Sequence, residues 1–191
     1  MKKLRIVIAL ILVSSSGLHA QSERMNAVKM NVFSPFVQTF SMFYERALNE
    51  ESSLQLGFFY TGFSINDTKI SGFGITPEYR YYFSDKGAMR GLYFAPFIRY
   101  QNFTLKNTYD DTDSNGNITE VTDKGTLSTF GGGVLFGHQW LFNGKVALDL
   151  FVGPSYGAGE VSVDSGSEDT FDTGSFSGFS IRAGACVGIA F

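Results

Sequence analysis

Residues 179–191 read FSIRAGACVGIAF, and this stretch decides the fold. Phe179, Ile181, Ala183, Ala185, Val187, Ile189 and Phe191 are apolar, while Ser180, Arg182, Gly184, Cys186, Gly188 and Ala190 between them are small or polar. A period of two is a strand with two unlike faces. A soluble protein buries the greasy face in its core. A transmembrane barrel strand turns that face to lipid and keeps Arg182 in the lumen.

The same alternation runs back through the chain. Val28, Met30 and Val32 oppose Lys29 and Asn31; Phe40, Met42, Tyr44 and Leu48 oppose Ser41, Phe43 and Glu45. Leu54, Leu56, Phe58 and Tyr60 oppose Gln55 and Gly57, and Phe73, Ile75, Tyr79, Tyr81 and Phe83 oppose Glu78, Arg80 and Tyr82. Further on, Leu92, Phe94, Ile98 and Tyr100 face away from Phe97 and Arg99, Phe130, Val134, Phe136, Trp140 and Phe142 from Gly131, Gly133 and Gln139, and Val146, Leu148, Leu150 and Val152 from Asp149. Turn-forming residues separate these runs, and Asn143-Gly144 is the strongest two-residue hairpin signal among them. The expected fold is all-β: an eight-stranded antiparallel up-and-down transmembrane β-barrel. Polar loops are expected at about 108–125 and 164–173. Short connections near Asn49, Asp85 and Asn143 fall at one end and the two longest loops at the other, which is how outer-membrane barrels sort periplasmic turns from external loops.

The amino-terminal segment reads differently. Lys2, Lys3 and Arg5 precede a short apolar run over residues 6–13, and Leu18-His19-Ala20 suits a signal peptidase. Residues 1–20 are therefore expected to be a cleaved signal peptide and 21–191 the barrel. The apolar run is far shorter than the roughly 20 residues of a spanning helix. Losing the signal lowers Lys+Arg from 15 to 12 against 18 Asp+Glu, a net charge near −6. That balance offers no basic surface for nucleic acid. The single cysteine, Cys186, excludes an intramolecular disulfide. The chain's 22 Gly, 20 Phe and 9 Tyr suit closely packed strands and suit helices poorly.

The inward faces collect Lys29, Glu45, Glu78, Arg80, Arg99, Asp149 and Arg182. Seven ionisable groups would be ruinous in an apolar sandwich core, whereas an eight-stranded barrel is just wide enough for such side chains to fill it and pair. They read as a structural lumen network. The outward aromatics Tyr79, Tyr81, Phe83, Trp140, Phe142 and Phe191 read as an interfacial girdle at the periplasmic rim. Pro77, Pro96 and Pro154 fall inside the strands, where local bulges are expected to absorb them. Gly131, Gly132 and Gly133 read as room for bulky lumen side chains from neighbouring strands.

Chemistry has few footholds. Asp111, Asp113 and Asn115, with Gly116, match the start of a calcium loop, but Thr122 stands where a bidentate Glu belongs, so the stretch reads as a soluble hairpin tip in preference to a metal site. A second acidic loop holds Asp164, Glu168, Asp169 and Asp172. His138, the one histidine beyond the signal, lies on the outer face, and Ser128 shares that face too far along the strand for a Ser–His–acid constellation. No catalytic residue and no cofactor is expected.

Phe43-Tyr44-Glu45-Arg46-Ala47-Leu48, Thr76-Pro77-Glu78-Tyr79-Arg80-Tyr81-Tyr82-Phe83, Gly91-Leu92-Tyr93-Phe94-Ala95-Pro96-Phe97 and Gly137-His138-Gln139-Trp140, with the terminal Phe, resemble small outer-membrane β-barrels of Gram-negative bacteria. The architecture is similar to OmpA-type and OmpX-type barrels. The resemblance implies that Pro77 and Pro96 are accommodated features and that Phe191 is read by the barrel-assembly machinery. The expected partners are that machinery and outer-membrane lipid, with an external partner unspecified. The leading expectation is a non-enzymatic barrel with a plugged polar lumen and acidic external loops, serving envelope structure or surface interaction. The alternatives are a narrow transport barrel, passing small or hydrophobic solutes through the lumen or a lateral opening, and a lipid-modifying enzyme dependent on His138.

Overall fold

The computed structural model describes residues 26–65, 68–84, 87, 89–112, 118–165 and 178–191. The expected signal peptide lies outside them. Eight strands follow one another: β1 (Asn26–Asn31), β2 (Thr39–Ala47), β3 (Ser52–Ile65), β4 (Thr68–Tyr82), β5 (Gly91–Thr112), β6 (Ile118–Phe142), β7 (Val146–Ser165) and β8 (Gly178–Ala190). Each pairs antiparallel with its sequence neighbour, and β8 returns to β1 to close a barrel. At the seam, Asn26 and Phe191 exchange backbone hydrogen bonds of 3.0 and 2.8 Å.

The alternation turns most of the large apolar side chains outward. Val28, Met42, Leu56, Ile75, Ile98, Phe136, Val152 and Ile189 are exposed, while Lys29, Glu45, Gln55, Glu78, Arg80, Gln139 and Asp149 are buried. In water this inversion of the usual rule would forfeit the hydrophobic driving force. In a bilayer it is the arrangement that pairs backbone groups along the ladders and presents a largely apolar face to lipid. Tyr79, Tyr81, Phe83, Trp140, Phe142 and Phe191 ring one end, with Tyr81 and Phe83 edge-to-face at 5.3 Å. Toward the other end, outward aromatics stand directly opposite one another as Phe40 and Tyr60, Tyr100 and Phe130, and Tyr156 and Phe179.

Three sequence expectations change. First, the stretch expected as a loop at 108–125 is strand at 108–112 and 118–125, where β5 and β6 stay in register to Thr112 and Ile118. Thr and Val sustain strand geometry there. The strands hold 22 and 25 residues, against roughly 9–11 for one crossing. Reach on this side therefore comes from strand length, and the connection after β3 is only 66–67. Second, no bulge marks the prolines. Register across β4–β5 is the same either side of Pro77 and Pro96, and across β6–β7 either side of Pro154; a few ladder pairs are simply missing at each. The register shift in β6–β7 lies between Lys124 and Gly125.

Third, the glycines divide into two kinds. A Cβ on Gly131 or Gly133 would meet the Tyr156 or Pro154 carbonyl oxygen of β7 at 2.5 or 2.2 Å, so there it is backbone that approaches closely, beside the Pro154 gap. The side-chain role belongs elsewhere. Gly57 opposes Phe43, Gly74 opposes Phe59, Gly137 opposes Tyr93 and Gly184 opposes Phe151, and in each case an added Cβ would fall within 2.9 Å of the facing ring. Each ring lies over its cross-strand glycine and fills the narrow lumen. The Asn143-Gly144 hairpin forms with both residues at positive φ, 49° and 65°, closed by Lys145 N–H donating to the Phe142 carbonyl at 2.9 Å.

Candidate functional site: a two-storey lumen

The lower storey, nearer the Phe191 rim, is an ionic cluster. Lys29 Nζ from β1 donates to Glu45 Oε2 of β2 at 2.6 Å, to Gln139 Oε1 of β6 at 2.6 Å and to Asp149 Oδ2 of β7 at 2.9 Å. Arg80 of β4 donates to the same Asp149 oxygen at 2.7 Å, to Gln139 at 3.2 Å and to Glu78 Oε2 at 3.1 Å. Tyr82 and Ser53 hydroxyls each donate to Glu45 Oε1 at 2.5 Å, and Tyr93 donates to Asp149 Oδ1 at 2.7 Å. The Arg80 guanidinium lies 4.4 Å from the centre of the Tyr93 ring. Side chains from every strand except β8 thus meet across the axis here. Buried charges persist only when paired and hydrogen-bonded, and Glu45 and Asp149 have bonds to both carboxylate oxygens.

Above this cluster the lumen opens. A cavity of about 270 Å³ is bordered by Ser41, Thr76, Arg99, Phe151, Ser180 and Arg182, among others. Arg182 Nη2 lies 2.7 Å from Glu78 Oε1, and its guanidinium is sandwiched between Phe97 and Phe151 at 4.8 and 5.1 Å. Arg99 donates to Thr76 Oγ1 at 3.0 Å and sits 5.9 Å from the centre of the same Phe97 ring.

Of the seven inward ionisable residues, six make one contiguous set: Lys29, Glu45, Glu78, Arg80 and Asp149, with Arg182 attached through Glu78. Arg99 stands apart, with no carboxylate within ion-pair distance among the described residues. Gln139, Gln55, Ser53, Tyr82 and Tyr93 also bond to the set, Gln55 by donating to Glu78 Oε2 at 2.9 Å; inward parity and a hydrogen-bonding group are the only signal of this in the sequence.

The other candidates form no site among the described residues. Asp113 and Asn115 lie outside the described residues, as does the side chain of Asp111. Among the described residues no group of His, Cys, Asp and Glu is placed to hold a metal. His138 points outward, its ring 4.0 Å from that of Trp140. Ser128 is ten residues away along β6, roughly 33 Å of extended chain, and its hydroxyl accepts from Asn102.

A closed eight-stranded antiparallel barrel with hydrocarbon and aromatic side chains outside and paired charges inside is a membrane barrel of the outer-membrane type. Residues 6–163 match the model of a protein family of unknown function, DUF3575, and the chain belongs to that family. No curated protein matches it. Among solved structures it is similar to the N-terminal β-barrel domain of Pseudomonas aeruginosa OprF, at 14% identity over 90% of this chain and 100% of that one, with a TM-score of 0.41. It is also similar to Acinetobacter baumannii CarO, at 13% identity over 91% and 99% of the two chains, with a TM-score of 0.44.

Proposed function

We propose that this protein is a non-enzymatic outer-membrane barrel whose lumen is closed by the Lys29-centred cluster, and that it serves envelope structure or surface interaction. The observation that carries the reading is the triple engagement of Lys29 Nζ by Glu45, Gln139 and Asp149. An ammonium held from three separate strands, with Arg80 beside it, leaves no water-wide axial path at that level. The apolar belt between the aromatic rings supports membrane residence. The long β5–β6 hairpin and the acidic segments read from the sequence would stand outside the cell as the contact surface. The expected signal peptide supplies export, and Phe191, whose backbone completes the closing seam, supplies the assembly signal.

Envelope fractionation tests the placement. The protein should pellet with outer membrane and run faster on a detergent gel unboiled than boiled. Recovery from the periplasm as a species whose mobility ignores heating would overturn it. Deleting Phe191 should slow insertion, seen as loss of the heat-shifting band; unchanged insertion would remove that residue's role.

A further inference from the structure

The barrel wall is not uniform around the upper storey. β1 is six residues long, and its ladder with β8 ends at Asn31 opposite Cys186. One more bond follows, from Val32 N–H to the Ala185 carbonyl at 2.9 Å. Above that point β8 continues to Gly178 paired with β7 alone. The space a longer β1 would fill is crossed by a short 3-10 turn, Ser34–Val37. That turn is tied to β2: Ser34 and Ser41 hydroxyls are 2.7 Å apart, and Thr39 donates to the Val37 carbonyl at 3.1 Å. Among the described residues no hydrogen bond joins the turn to β8. Among the described residues, the upper half of β8 is therefore a free edge inside a barrel that is otherwise closed.

Two hollows meet at this edge. The arginine cavity is bordered by Ile181 and Ala183 as well as by inward residues, so it reaches the wall itself. On the outer surface an apolar hollow of about 380 Å³ lies among Phe33, Phe136, Leu150, Val152, Ala183 and Ala185. Ala183 and Phe151 border both. Outside is a small-residue stretch of β8 overhung by Phe33; inside is a chamber carrying two guanidiniums.

The charges in that chamber are unbalanced. Arg99 and Arg182 both border it, and among the described residues no Asp or Glu does. Arg182 is nine-tenths buried, with 8% of its side chain exposed, yet its Nη1 meets no hydrogen-bond partner. A buried guanidinium nitrogen left unpaired is destabilising, and an anionic oxygen accepting from it would recover that loss. Guanidiniums favour carboxylate and phosphate oxygens in their forked geometry.

We propose that the upper storey binds an amphiphile with a single anionic head, such as a long-chain carboxylate, entering sideways from the membrane. The head sits between Arg99 and Arg182, and the tail leaves past Ala183 into the apolar hollow beneath Phe33. The ionic cluster below blocks onward axial passage, so the site is compatible with a plugged lumen. The inference rests on the outward face meeting lipid.

The test uses the full barrel in nanodiscs of neutral phosphatidylcholine, with the heat-dependent gel shift checked first, so that failure of the barrel is separated from failure of the site. A fluorescent polyunsaturated fatty acid is the probe, with empty discs as background. Saturable binding is expected, displaced by oleate, at least tenfold less well by oleyl alcohol, and not by millimolar acetate or phosphate. Arg99→Gln and Ala183→Trp should each weaken it about tenfold or more, one by removing the charge and the other by filling the exit. Ala183→Trp alters only an outward side chain and keeps the test open if Arg99→Gln fails to shift on heating. No binding above empty discs overturns the proposal. So does equal displacement by acetate or phosphate, which would make the chamber a free-anion site, or by the alcohol, which would make the hollow merely greasy. Affinity unchanged in both variants also overturns it.

Discussion

The two storeys of the lumen are built from the same residue types and do opposite things with them. Below, Lys29 and Arg80 are enclosed by Glu45, Glu78, Asp149 and Gln139, with tyrosine and serine hydroxyls donating to the second oxygens of Glu45 and Asp149. Above, Arg99 has a threonine and a glutamine for company and Arg182 shares one carboxylate. The wall follows the same division: β1 seals β8 beside the lower cluster and stops short beside the upper cavity. Dense pairing makes the lower storey a structural element, even though Arg80 Nε and Gln55 Oε1 lack a partner there; two guanidiniums sharing a single carboxylate beside the end of β1 make the upper one a receptive surface.

Four substitutions would break or sharpen this contrast. Lys29→Met leaves Glu45 and Asp149 with Arg80 as their remaining cation, and should cost about 3–5 kcal/mol, the usual penalty for removing one side of a buried pair. The readout is the midpoint of urea unfolding in lipid vesicles, and a loss under about 1 kcal/mol would mean that the cluster holds nothing together. Val152→Arg places a charge on the outer face three residues from the natural charge of Asp149. It should cost roughly 2–4 kcal/mol if that face meets hydrocarbon, and almost nothing if it meets water. Gly153→Ala comes next: its Cβ would stand 2.0 Å from the Val134 carbonyl oxygen, a backbone contact that cannot rotate away, and about 1–3 kcal/mol of overpacking is expected. Arg99→Gln should be smallest, about 1 kcal/mol or less in either direction, because it removes a charge that lacks a carboxylate partner. An Arg99→Gln penalty as large as that of Lys29→Met would erase the distinction between storeys.

The strand faces were readable because a period of two survives any choice of register. Shifting a strand by one residue would have turned Leu150 inward and Asp149 to lipid, and the composition of each face forbids it. Strand extent was less legible. In the 108–125 stretch both faces are polar, so hydrophobic alternation vanishes although the ladder continues. The grouping of charges was hidden for a different reason. Lys29 meets Asp149 from 120 positions away, and which inward residues share a level depends on the stagger of the closed barrel, which no single strand reveals. Arg99 looked equivalent to Arg80 by parity and differs only in height. The free edge of β8 was equally invisible, since it follows from β1 ending at Asn31 and the chain tightening into a 3-10 turn at Ser34-Pro35.

The central claim is that the lower storey closes the axis. Single-channel recording of the purified barrel in planar lipid bilayers tests it most directly. The wild-type protein should insert without steady conductance steps, whereas Lys29→Met, with the central ammonium gone, should show reproducible small openings. Stable, uniform conductance from the wild-type barrel would contradict the account.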